Sequence, residues 1–233
     1  MTPKVQLLLI QIYVHIFFLV GIYMLDWQQI ISTLIICQIL FAGLCGTVFY
    51  HRIVTHKNQI NKTCEKILMT ISWAGASGSL IAWAATHRLH HRFSDTEKDP
   101  HSPIYRNKFL IYWWASAAEG SIRLVPDLLR NQWFLFQHRY YFKILILYHV
   151  MGLTLLPLQI YWTIAIVPAF CMWFTGGMTN MFGHNKYGPT NNKILGLLTM
   201  GEGWHSNHHH SPQSVKFHQT WDLGYYLYKL LPH

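Results

Sequence analysis

Two apolar runs without a formal charge, separated by four residues, limit what this chain can become. Val5 to Leu25 and Ile30 to Tyr50 are each about twenty residues long and contain no Asp, Glu, Lys or Arg. A helix of that length covers the hydrocarbon core of a bilayer and satisfies its own backbone N–H and C=O groups there. The connector Asp26-Trp-Gln-Gln29 has no Lys or Arg, and Trp27 suits a membrane interface. The pair therefore predicts a helical hairpin that turns outside and returns both ends to the cytoplasmic side.

Composition agrees with a membrane protein. Of 233 residues, 52% are hydrophobic and 12% charged, about half the charged share of a soluble domain. The formal net charge is +9. Long apolar runs interrupt the basic excess, so it reads as a cytoplasmic membrane face rather than a nucleic-acid surface. Cys37, Cys45, Cys64 and Cys171 form no C-x-x-C pair and are expected to be free thiols. Met1-Thr-Pro-Lys4 precedes a run too long for a signal-peptide core, so the first run is expected to stay as a span.

Further along, Ile144 to about Pro157 and Tyr161 to about Met178 are shorter apolar segments. Their connector, near Leu158-Gln159-Ile160, also lacks Lys and Arg, which predicts a second outward hairpin. Between the hairpins, Ile67 to Thr86 is apolar but weakened by Ser72, Gly75, Ser77, Gly78 and Ser79. If it crossed the membrane, the histidines on either side of it would be separated by the bilayer. It is therefore expected to be re-entrant or interfacial. Ser94 to Pro103 is expected to be an ordered loop, and Tyr112, Trp113 and Trp114 an interfacial helix.

Histidine is the outlier. Three of the 16 lie in His87-Arg-Leu-His-His91, where a helix puts His87, His90 and His91 on one face. His51-Arg-Ile-Val-Thr-His56 and His205-Ser-Asn-His-His209 echo it, and His184 follows the last apolar segment. His51 and His56 are about 140° apart on a regular helix, so they converge only if the helix ends or bends. The predicted topology puts all nine on one side of the membrane, more imidazoles than one metal accepts. Imidazole suits iron, zinc, copper and nickel alike, and the residues alone do not choose. His15, inside the first run, is expected to pack or hydrogen-bond. His101, His138, His149, His210, His218 and His233 fall outside the ligand pattern. No Ser/His/Asp arrangement or phosphate-binding glycine loop is apparent.

These boxes, with Gly201-Glu-Gly-Trp-His205 and Asn180-Met-Phe-Gly-His184, resemble the membrane fatty acid desaturases, in particular the Δ9 (stearoyl-type) branch. The resemblance spans roughly residues 40 to 225. It implies an all-α integral membrane fold: four transmembrane helices in two hairpins under a cytosolic helical cap that holds a histidine-rich di-iron site. The whole chain, 1–233, would be one domain, with spans at about 5–25, 30–50, 144–157 and 161–178 and the cap at about 51–140 and 184–233. The implied ligands are His51, His56, His87, His90, His91, His184, His205, His208 and His209, with Asn180 contacting iron through water. Two iron ions, O2 as co-substrate and two electrons from a separate small carrier, ferredoxin-like or cytochrome-like, would insert a cis double bond at or near Δ9. The substrate would be a saturated acyl chain on a lipid, CoA or carrier protein. A hydroxylase of the same superfamily shares most of these ligands, and a non-catalytic metal-binding membrane protein is the rival outside the enzymes.

Two details bear on substrate. Animal acyl-CoA desaturases carry an Arg-Asp pair before the second box, where this chain has Ala85-Thr86. The continuation Ser94 to Pro103 resembles bacterial members, which points toward an acyl-lipid or another carrier and toward a bacterial cytoplasmic membrane rather than the endoplasmic reticulum. By resemblance the second span lines the closed end of an acyl tunnel, with Ile35 and Ile39 as candidates. Glu202, Asp95 and Asp222 are candidates to accept a hydrogen bond from a ligand imidazole. Arg88, Arg92, Lys98 and Arg106 are candidates for an anionic head group or an acidic donor surface.

Overall fold

Thr2 caps the first helix with its side chain, and Pro3 occupies the first helical turn, where its missing N–H costs nothing. In the computed structural model, which describes residues 2–114 and 120–233, that helix runs Pro3–Met24. The chain breaks at Leu25. Asp26 caps the next helix by accepting from Gln29 N at 2.9 Å, and the helix continues without interruption over Trp27–Thr55. The helix that holds the second run therefore continues past Tyr50 and carries His51 with it.

From Gln38 to Thr55 this helix is wound with i→i+5 hydrogen bonds. His56 N donates to His51 O at 3.1 Å. Such winding stacks residues five apart, as ordinary α winding stacks those four apart. The spacing of the first histidine box, awkward on an α-helix, is thus the natural same-face spacing here.

Lys62–Gly75 and Leu80–Phe93 form a helix pair bent by 85°. The bend falls on the Gly/Ser-rich stretch, where Ala76 and Gly78 take positive φ. Ser79 caps the second arm through Ala82 N, and Tyr50 OH donates to Gly78 O. The second arm carries the central histidine box. Turns over residues 94–104 lead to the short helix Lys108–Trp114. Residues 115–119 of the expected cap lie outside the described residues.

The third expected span belongs to a longer helix, Gln132–Leu155. The break after it is at Leu156-Pro157, and Leu158 to Ile160, expected as the connector, already open the last long helix, Leu158–Phe182. That helix contains Pro168, which cannot donate to the carbonyl four residues back. Tyr148 OH takes that acceptor, Ile164 O, at 2.6 Å, so the freed group stays satisfied away from water. Tyr161 OH bonds both Tyr13 OH and His149 Nδ1, tying three helices together. His15 bonds Gln11 O and Tyr112 OH, as a hydrogen-bonded histidine should.

Among the described residues, three helices are long and apolar enough to cross a membrane: Pro3–Met24, Trp27–Thr55 and Leu158–Phe182. The first two leave large apolar side chains outside, such as Leu19 and Ile36, as lipid-facing helices do. The chain ends in short helices around a two-residue hairpin, His184–Asn185 with Gly188–Pro189. The four cysteines are free.

Candidate metal centre

Four separate segments deliver the histidines. The end of the second helix brings His51 and His56, the second arm of the bent pair His87, His90 and His91, and the first strand of the short hairpin after the last long helix His184. The short helix His205–His210 brings His205, His208 and His209. Its approach depends on glycine: Gly201 has φ +109°, and a side chain on Gly203 would overlap Gly196 N.

All nine patterned histidines are brought together, in two groups. His51, His56, His87, His91 and His208 form one, and His90, His184, His205 and His209 the other. Within each, one ligand atom per residue lies within 4.8 Å of all the rest. In the first group, His51 Nε2 is 3.0 Å from His208 Nε2, and His91 Nε2 is 2.8 Å from His208 Nε2 and 2.9 Å from His87 Nε2. In the second, His90–His209, His209–His205 and His205–His184 approach through their Nε2 atoms at 3.1, 3.1 and 3.0 Å. Two imidazoles at right angles on one ion, each about 2.1 Å away, stand roughly 3 Å apart. The separations fit ligands side by side on an ion.

Proton counting in the second group makes the same point. Asp99 accepts from His90 Nδ1 with both oxygens at 2.9 Å, and Asp95 Oδ2 is 2.9 Å from His184 Nδ1. Carboxylates only accept, so both rings carry hydrogen at Nδ1 and present a lone pair at Nε2. His209 and His205 can each donate one proton to those lone pairs. The contact between His209 and His205 then has two donors and no acceptor. Three contacts cannot all be hydrogen bonds, whereas a cation satisfies every lone pair at once. Burial and neighbouring charge lower a ring in each group: His56 is pushed down to about 3 by burial, with Arg88, His209 and Arg52 adding to it. His209 is pushed down to about 3 by burial, His91 and His184, against a partial counter-pull from Asp99.

The carboxylates divide differently from expectation. Glu202 Oε2 lies 2.6 Å from His51 Nδ1. Burial pushes this carboxyl up to about 8, with Arg52 pulling down and Asp222 pushing up. Asp95 bonds His184, as above. Asp222 touches no imidazole: it is fully buried and takes Arg52 NH2 at 2.7 Å, Phe217 N at 2.6 Å and Tyr225 N at 3.0 Å. It reaches the histidines indirectly, through Phe217, whose ring packs beside His208, and through Arg52, which lies 3.9 Å over that ring. Asp99, unassigned from sequence, is the better-placed carboxylate. An aspartate nine residues beyond His90, inside the turn-rich loop, was the available signal. His101 is also buried, and its ring stacks on His90 at 4.3 Å.

The structure also places the remaining candidates. Arg88 is spent on structure, bound to Asp127 at 2.6 and 2.9 Å and to the carbonyls of Thr55, Val54 and Leu124, whereas Arg92 and Lys98 are exposed. Ile35 and Ile39 are 57% and 41% exposed on an outer groove with Leu34 and Phe174. The cavity that reaches the histidines is lined instead by Ala42, Gly46, Met172 and Thr175, and nearer the rings by Trp83 and Asn180.

A family profile described as fatty acid desaturase matches residues 25–232. The chain belongs to the fatty acid desaturase family. A curated sn-1 stearoyl-lipid 9-desaturase of Anabaena variabilis is 31% identical over 81% of this chain and 75% of its own length. An acyl-CoA 5-desaturase of Anemone leveillei is 30% identical over 81% of the chain and 66% of its own length. A Delta-9 acyl-lipid desaturase of Arabidopsis thaliana is 28% identical over 92% and 75%. This chain is accordingly a fatty-acyl desaturase, a membrane-family enzyme with histidine groups able to hold metal.

Proposed function

We propose that this desaturase uses two iron ions, one in each histidine group, to insert a cis double bond at or near Δ9 of a saturated acyl chain. The observation that carries the proposal is the pair of four- and five-imidazole groups side by side. An unactivated methylene has no acidic proton, so a side-chain base cannot start this chemistry; iron with O2 and two electrons supplies the oxidant. The chain's own residues do the rest. Asp99 and Asp95 hold His90 and His184 with their Nε2 atoms facing inward, and Glu202 sets His51. Asn180 lines the cavity beside His205 and His87, where a water held by its amide can reach the second group. Gly46, Met172 and Trp83 present a largely apolar wall that keeps water from the reacting methylenes.

The proposed topology has four crossings in one domain. Gln132–Leu155 is the third: Ile146, Leu147, Val150 and Leu153 are exposed along its apolar second half, while Arg139 and Lys143 lie in its first half, on the side taken as cytoplasmic. The bent pair is re-entrant, so both histidine arms meet on the cytoplasmic face under the cap. The membrane is a bacterial cytoplasmic one. The carrier of the acyl chain is a lipid in preference to CoA, since Ala85-Thr86 offers no charge before the second box. Electrons come from a separate small carrier protein, ferredoxin-like or cytochrome-like.

Fatty-acid profiling of a desaturase-deficient bacterial host, with the chain and a ferredoxin system supplied, tests this. A new monoene, located at Δ9 and absent with His90→Ala, is expected. Hydroxylated chains in its place would overturn the reaction assigned.

A further inference from the structure

The cavity that reaches the histidines is lined on one side by a single face of the last long helix. Met172, Thr175, Gly176, Thr179 and Asn180 all line it. Their spacing of three, one, three and one is a single helical stripe. Asn180 lies at the histidine end, and Met172 is two turns away, about 12 Å at 1.5 Å per residue. Across from Met172 the second helix contributes Ala42 and Gly46, whose small side chains leave space for it.

Met172 is 7% exposed and sits against a particular glycine. A Cβ on Gly75, in the bend between the two arms of the broken helix, would overlap Met172 Sδ. A Cβ on Gly46 would stand 3.7 Å from Met172 Cε. The thioether is thus parked in a notch that the absence of a side chain on Gly75 creates. Methionine, unbranched with three rotatable bonds, is the apolar residue best able to swing between such a notch and an adjacent space.

We propose that Met172, seated on Gly75, is the floor of the acyl pocket and sets the length of chain the enzyme accepts beyond the reacting carbons. The inference rests on the desaturase reading above and deepens it. At about 1.3 Å per methylene, the projection of a C–C bond near 1.5 Å, the helix rise of about 12 Å from Asn180 to Met172 matches about nine carbons. The ligand is therefore a saturated chain whose distal part is close to nine carbons long. This moves the length-setting position from Ile35 and Ile39, which face outward, to the last helix and the bend that supports it.

Two variants pull in opposite directions. Met172→Ala removes three heavy atoms from the floor and should shift the preferred chain upward by about two carbons. Gly75→Ala pushes the thioether out of its notch into the pocket and should shift the preference downward. Met172→Ala combined with Gly75→Ala should return to or above the wild-type length, because the methyl acts only through Met172. Chain-length profiles of the monoenes formed in a host fed a graded series of saturated fatty acids read these shifts. A second readout needs no turnover: displacement of a fluorescent polyene fatty acid from the purified full chain by the same series. An unchanged profile and unchanged displacement order in Met172→Ala would overturn the proposal. If the wild type forms no monoene in any host but Met172→Ala still shifts the displacement order, the pocket floor stands and the reaction assigned above falls.

Discussion

The two histidine groups are built to different plans. The first gathers five imidazoles and one carboxyl neighbour, Glu202, which burial keeps up at about 8. The second has four imidazoles and two aspartates, and Asp99 grips His90 with both oxygens while its ring stacks on His101. A group with a spare ring tolerates loss; one with no spare depends on each ring being held in place. The first group gets its order from packing, between Trp83 and Phe217, whose rings flank His87 and His208. The second gets it from hydrogen bonds.

That difference can be broken most sharply at the rings. His90→Ala should release the metal of the second group alone and lower desaturation by about 100-fold or more, while His87→Ala leaves four imidazoles in the first and weakens its metal without emptying it. Metal analysis of both purified variants checks this; equal losses would erase the distinction. Next in size, Asp99→Ala should cost the second group about 10–100-fold in metal affinity, read by competition with a chelator, with the first group unaffected. Glu202→Gln should weaken the first group less, by about 10-fold, because its rings are also packed. Asp95→Asn should be smallest, a few-fold on the second group, since Asp95 is partly exposed and contacts His184 through one oxygen.

Acid acts on both groups in the metal-free protein. His56 and His209 are held near 3 when folded against 6.5 in the open chain. The unfolded chain therefore takes up protons first. The stability these rings contribute is complete above about pH 6.5 and is lost as pH falls toward 3. Thermal unfolding of the metal-free protein should show a midpoint that drops over that window, with a shallower drop in His56→Gln. A midpoint flat from neutral to pH 4 would contradict the burial of these rings.

Much of the site was legible because chemistry repeats itself in sequence. Three clusters of histidine at the ends of apolar runs name their own residues, and the uncharged runs name the first hairpin. What stayed hidden depended on backbone winding or on distant partners. His51 and His56 look misaligned until the helix is wound i→i+5. Asp99 looks like any loop acid until the turns fold it under His90. Asp222 sits beside the third box in sequence, yet Arg52, from the other end of the chain, claims it. Ile35 and Ile39 line an outer groove, a placement that only packing decides. The helix from Gln132 hid its start because Gln137, His138, Arg139 and Lys143 interrupt the apolar pattern of its first half.

The central claim is that the two groups hold two metal ions. The most direct measurement is iron per chain in purified protein reconstituted anaerobically with ferrous iron, by elemental analysis, for wild type and His90→Ala. The account predicts two ions per chain in the wild type and one in the variant. One ion or none in the wild type, or the same number in both, would contradict it.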